Sequence, residues 1–254
     1  MIRFFPLAAA PLLALLVSTQ DVGAPVDPEA RAQATLEQAL KSAGAVVDWE
    51  AGALAIPAEV LVREDLLEYL LVAPHGQAHE SLFLTEVGAS LINAGLLGLG
   101  ATPGRNARVV GEGDERSIEL PTGDGFYLYA AWREGDETYL FRVEDLIANL
   151  ENGRSLERHR WVFLGSRFVE RDGESHFAAD QWGNLVNLSF FYEGDTLLTA
   201  AVRAAESQTA WLPNAWLVPP SGSPVLFVFA REPLVELPPA LAASVPELER
   251  ETPK

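Results

Sequence analysis

From residue 45 to residue 230, apolar and polar positions alternate in short bursts separated by turn residues, which is a β texture. The clearest burst is 125–133, where Phe126, Leu128, Ala130 and Trp132 fall on one face of a strand and Tyr127 and Tyr129 on the other. Glu134-Gly135-Asp136 then turns the chain into a second alternating run, 138–143, and the two runs predict a hairpin. Further strands are predicted at 161–164, 167–171, 175–179 and 184–191, the second and third joined across Asp172-Gly173. Val225 to Phe229 is apolar throughout, the pattern of a central strand. Shorter strands are predicted at 45–49 and 53–56.

Helical spacing interrupts this texture. In 86–99, Val87, Leu91, Ala94 and Gly98 form one stripe with Ile92, Leu96 and Leu99 beside it. Thr85 reads as its N-cap, Gly100 follows its last turn, and Pro103 forbids continuation. Gly88, Gly95 and Gly98 would each cost about 1 kcal/mol against alanine in a helix, so they point to close approach by another element, most simply the sheet. A shorter helix is predicted from Val143 to Leu150. Near the amino terminus, Asp27-Pro28-Glu29 reads as an N-cap followed by proline at the first helical position, with a helix running to Ser42. The predicted fold is α+β: a mostly antiparallel sheet or sandwich covered by one main helix, about 86–99, plus this amino-terminal helix.

The two ends differ in character from the middle. Arg3 precedes an apolar run, Phe4 to Val17, which is too short to span a bilayer core of about 30 Å as a helix. It reads as a secretory signal peptide over residues 1–24, with Val22-Gly23-Ala24 supplying small residues for cleavage and 25–44 forming a helix and linker. At the other end, 231–254 holds five prolines and five glutamates in 24 residues. Such a segment buries little apolar surface to offset its ordering entropy and reads as a disordered acidic tail, Leu234 to Leu241 being its part most able to dock.

Composition narrows the function. The 254 residues include 18 Lys+Arg against 36 Asp+Glu, for a net charge of −18. That balance disfavours nucleic acid, whose phosphates need a basic face, and an anionic membrane surface. The chain has no cysteine, which excludes disulfides, zinc–thiolate sites, iron–sulfur clusters and cysteine nucleophiles.

Candidate chemistry is sparse. His75 and His79 are four apart with Glu80 following, but Pro74 and Gly76 oppose a helix there and the His-Glu-x-x-His order is absent. Acid-plus-glycine loops such as Gly123-Asp124-Gly125 and Glu193-Gly194-Asp195 lack the alternation of a calcium loop and read as hairpin turns. No serine sits in Gly-x-Ser-x-Gly, and there is no phosphate loop. Trp182 and Trp211 are candidate aromatic ligand contacts, weighed against burial in the core. His79-Glu80-Ser81 is the most informative spot. Read as strand, it places His79 and Ser81 on one face and Glu80 on the other. A Glu80 pointing inward would need backbone N–H groups or an arginine as partners, and the residues favour that structural role. No metal or cofactor is assigned.

In order along 45–230, several stretches resemble the YdjY-domain family of bacterial secreted or envelope proteins. They are Leu67-Glu68-Tyr69-Leu70, His79-Glu80-Ser81-Leu82, Ala94-Gly95-Leu96-Leu97, Gly100-Ala101-x-Pro103-Gly104 and Trp161-Val162-Phe163-x-Gly165-Ser166. Ala179-Asp180-x-x-Gly183-x-Leu185, Ser189-x-Phe191 and Pro219-Pro220-x-Gly222 continue the match. The resemblance implies architecture and location but no reaction, because the family has no established activity. Asn93 stands where the family often has histidine, and Phe190 where it often has asparagine. An iron–sulfur association suggested by cysteine-bearing relatives cannot apply to this chain. The expectation is an exported, periplasmic or extracellular domain that binds an unidentified ligand or envelope protein, with no transmembrane segment once the signal is removed. The alternative is a hydrolase or metal-dependent enzyme using His79, Glu80, Ser81 and Asp180.

Overall fold

The structure, a computed structural model, describes residues 27–248; the signal-peptide reading of 1–24 and the last six residues of the tail lie outside them. Eight strands close into a barrel: β1 (Ala53–Val60), β2 (Tyr69–Val72), β3 (Ser81–Leu84), β4 (Gly125–Glu134), β5 (Trp161–Phe163), β6 (Asn184–Asn187), β7 (Leu198–Thr199) and β8 (Pro224–Ala230). Around the barrel the order is β1-β8-β4-β5-β7-β6-β2-β3, and β3 returns to β1 through Glu59↔Leu84 and Val60↔Phe83. The β6–β7 and β2–β3 pairs are parallel, the others antiparallel. Two further strands, Val46–Asp48 and Glu137–Arg142, extend the sheet beyond the ring from the free edges of β1 and β4.

This closure corrects the expected sheet or sandwich covered by one main helix. A closed ring fills its interior with the side chains of its own strands. Trp161, Phe83, Phe126, Phe163, Phe227 and Phe229 are all fully buried. The alternation in β4 holds: Phe126, Leu128, Ala130 and Trp132 join the interior cluster, while Tyr127, Tyr129 and Ala131 face outward. The hairpin across Gly135 holds too, and β8 is central, paired to β1 and β4.

Helices are minor. Among the described residues they are α1 (Pro28–Ser42), α2 (Ala89–Gly98), α3 (Ala178–Trp182) and α4 (Pro239–Ala242). Asp27 caps α1, accepting from the Glu29 N–H at 3.1 Å. α2 begins later than its apolar pattern suggested: the Thr85 hydroxyl accepts from the Val87 N–H at 3.2 Å and donates to the Pro57 carbonyl at 2.7 Å, but the helix starts only at Ala89. Gly88 takes the cap position instead. Gly95 does meet the sheet; a Cβ there would sit 2.9 Å from Leu54 Cδ2 on β1. The predicted helix 143–150 is only a 3-10 turn, Val143–Leu146, running into a strand, Ile147–Asn149, that pairs with Trp211–Pro213.

The tail is the second correction. Leu241 and Val245 are buried against Ala53, Ala55, Leu226, Val228 and Ala230 on the outer face of β1 and β8, with Leu234 and Leu237 packed beside them. The Leu234 N–H donates to the Tyr129 hydroxyl at 2.7 Å, and Arg133 bonds both Pro246 and Leu248 through its backbone. The physical reason is that these strands are apolar on both faces. The outer face would otherwise lie open to water, and covering it offsets the cost of ordering a proline-rich segment.

Candidate functional site

The short strands on one side of the barrel build a cleft of about 230 Å³ lined by Tyr69, Gln77, Trp182, Asn184, Asn187, Phe191, Glu193, Asp195 and Thr196. Tyr69 opens β2, and Asn184 and Asn187 bracket β6, whose pairing with β2 shifts register at both ends. Gly76 and Gly183 bring the wall together. A Cβ on Gly76 would fall 2.5 Å from the Gly183 carbonyl oxygen, and Gly183 itself is left-handed at φ 72°. Only glycine fits both conditions. Ending α3 there sets Trp182, about half exposed, at the rim, while the Gln77 N–H donates to Asn184 Oδ1 at 3.1 Å. On the opposite wall, the Phe191 ring stacks on Tyr69 at 4.8 Å between centroids.

Two features make this cleft more than a surface dent. The Asn187 side chain is only 4% exposed, yet its Oδ1 has no hydrogen-bond partner. A buried amide oxygen left unpaired is costly and marks a place where a donor is wanted. The second is charge. Burial, with the Glu68, Glu80 and Glu193 carboxylates nearby, pushes the Tyr69 hydroxyl up to about 12. Burial and Glu80 likewise raise Glu68, opposed by His79. Tyr69 therefore stays protonated within a locally negative field.

The expected site residues do not gather at one point. His79 and Glu80 lie in a 3-10 turn, Ala78–Glu80, and not in a strand, so their side chains share a side: His79 Nε2 is 3.6 Å from Glu80 Oε1. The expected alternation therefore fails at Glu80. Its side chain is partly exposed, and its tie to the fold is its backbone carbonyl, which accepts from the Glu68 N–H at 3.0 Å. Ser81, the first residue of β3, is fully buried and its hydroxyl donates to the Gln77 carbonyl at 2.5 Å. Asp180 is exposed on α3. It accepts from the Ser90 N–H at 3.0 Å, capping α2 from outside, and its carbonyl lies 2.8 Å from His75 Nε2. Trp182 lines the cleft; Trp211 is buried, its indole N–H donating to the Ala204 carbonyl at 3.3 Å. Phe190 is a core residue. Among the described residues no group of three His, Asp or Glu could hold a metal ion.

Sequence reasoning did not single out Asn187, and it met Tyr69 only within a family stretch and Glu193 only as a turn residue. Nor did it find the buried Glu144, which accepts from Arg142 Nε at 3.0 Å, the His159 N–H at 3.2 Å and the Trp161 indole at 3.0 Å. The one available signal was Asn187 beside the apolar residues Leu185, Val186 and Leu188, a polar residue at a buried position.

With this geometry in place, comparison with known proteins adds a family: a model described as the YdjY domain matches residues 45–230. No curated protein and no solved structure matches the chain.

Proposed function

The chain belongs to the YdjY domain family, and on that premise we propose that it is an exported envelope protein whose barrel is a non-catalytic binding module, with the Tyr69–Trp182–Asn187 cleft as its ligand site. The observation that carries the site is the unpartnered, buried Asn187 Oδ1 lining a cleft with an aromatic rim. Export is supported by Arg3 and the apolar run Phe4 to Val17. Among the described residues no helix is long and apolar enough to cross a membrane.

The enzyme alternative draws no support from the geometry. Ser81 spends its hydroxyl on the Gln77 carbonyl, and Asp180 spends its carboxylate on α2. A nucleophile and its base need to sit within hydrogen-bond reach of each other.

Ligand-observed NMR with a panel of small polar compounds tests the site. Trp182→Ala, a change at a half-exposed position, should leave the unfolding midpoint nearly unchanged and weaken binding about tenfold. Binding that Trp182→Ala leaves unaltered would place the ligand elsewhere. Amino-terminal sequencing of the secreted protein tests export: a mature chain starting near residue 25 is expected, and one starting at Met1 would contradict it.

A further inference from the structure

We propose that the ligand of this cleft is an organic cation, an ammonium group on a short aliphatic stem; the assignment rests on the cleft being the ligand site. The whole chain is acidic, but the argument is local. Glu193 lines the cleft, and Glu68 and Glu80 stand close enough to Tyr69 to act on its hydroxyl. Among the described residues neither Glu68 nor Glu193 has a lysine or arginine at ion-pair distance, and Glu80 meets only the His79 ring. The guanidinium at this end, Arg167, is held by Asp195 at 2.6 Å.

Carboxylates alone would not define a site, since solvated acids are common on an acidic protein. Asn187 is the independent observation. Its buried Oδ1 wants a donor, and an ammonium offers three donors and no acceptor. The exposed ring of Trp182 adds a face over which a cation is attracted by the aromatic quadrupole. An anion would meet the Glu193 carboxylate, which no lysine or arginine neutralises. A neutral polyol could satisfy Asn187 but would gain nothing from the charge of Glu193.

The test is a charge series on one four-carbon stem, titrated into the purified protein: butane-1,4-diamine, butane-1,4-diol and succinate. Saturation-transfer NMR and Trp fluorescence report binding. The diamine should bind at least about tenfold more tightly than the diol, and succinate should not bind. Glu193→Gln should weaken the diamine about two- to fivefold, and Trp182→Ala about tenfold. Glu115→Gln, in the exposed 113–115 turn, should change nothing. Equal binding of diol and diamine, with Glu193→Gln silent but Trp182→Ala disruptive, would overturn the cation assignment and keep the cleft. Diamine binding that neither Trp182→Ala nor Glu193→Gln alters would overturn both, because the cation would then be condensing elsewhere. No diamine binding at all would overturn the cation assignment, leaving the compound panel to decide the cleft.

Discussion

Replacing Glu144 by alanine should be among the most destabilising single changes in the barrel. Its carboxylate is fully buried and is the hub of a small network: Arg142 Nε at 3.0 Å and its second nitrogen at 2.5 Å, the His159 backbone N–H at 3.2 Å and the Trp161 indole N–H at 3.0 Å. Alanine would orphan two neutral donors and leave a guanidinium that is only 11% exposed without its counter-charge. Arg142 would retain the His159 carbonyl at 2.6 Å and the faces of Tyr127 and Tyr129, so the loss is partial. Breaking a buried pair on one side costs about 3–5 kcal/mol, a large share of the roughly 5–15 kcal/mol that stabilises a domain. By contrast Arg158→Ala, at an ion pair whose arginine is 63% exposed, should cost about 1 kcal/mol or less. Urea unfolding followed by tryptophan fluorescence measures both, since Trp161 reports directly on the network. A Glu144→Ala midpoint within about 1 kcal/mol of wild type would refute the reasoning, showing the network contributes no more than a surface bridge.

Other consequences are equally open to measurement. Gly95→Leu should lower stability by about 1–3 kcal/mol by forcing Leu54 aside, whereas Gly113→Leu, in open space at φ 55°, should cost about 1–2 kcal/mol from backbone strain alone; equal melting temperatures for Gly95→Leu and wild type would mean the contact yields freely. Burial holds the His159 imidazole below its ordinary value despite Glu144 at 3.7 Å, and its Nε2 has no partner to receive a proton's hydrogen bond. As pH falls through about 6.5 the unfolded chain takes up a proton that the native ring resists, so stability should decline below that pH and not above it; His159→Gln should flatten that part of a pH–stability profile. Glu80→Gln should change stability by less than about 0.5 kcal/mol and should lower the titration points of Glu68 and Tyr69, seen by NMR. An unmoved Glu68 would mean the two carboxylates do not share a field.

Legibility followed the length of each strand. β4 and β8, at ten and seven residues, carry enough alternation to show their inner and outer faces. The ring closes through pieces too short to have a period: two pairs join β1 to β3, and two join β6 to β7. Barrel closure was therefore invisible. Composition misled at the tail, where prolines and glutamates outweighed the one segment able to dock, Leu234 to Leu241, which with Val245 covers an apolar face. At the site, His79-Glu80-Ser81 and Trp182 were visible as unusual residues, and they do flank or line one region. What they do was not visible, because a 3-10 turn and a five-residue helix set their directions. Asn187 owes its interest to a missing partner, and only the packed barrel reveals that.

The most direct measurement is a ¹⁵N-correlated NMR spectrum of the protein recorded with and without butane-1,4-diamine. The indole N–H of Trp182, the side-chain amide of Asn187 and the backbone of residues 191–196 should shift together and saturate with one affinity. Shifts that instead gather at the Arg105, Arg108 and Arg203 cleft, or scatter over the acidic surface without saturating, would contradict the Asn187 cleft as the binding site.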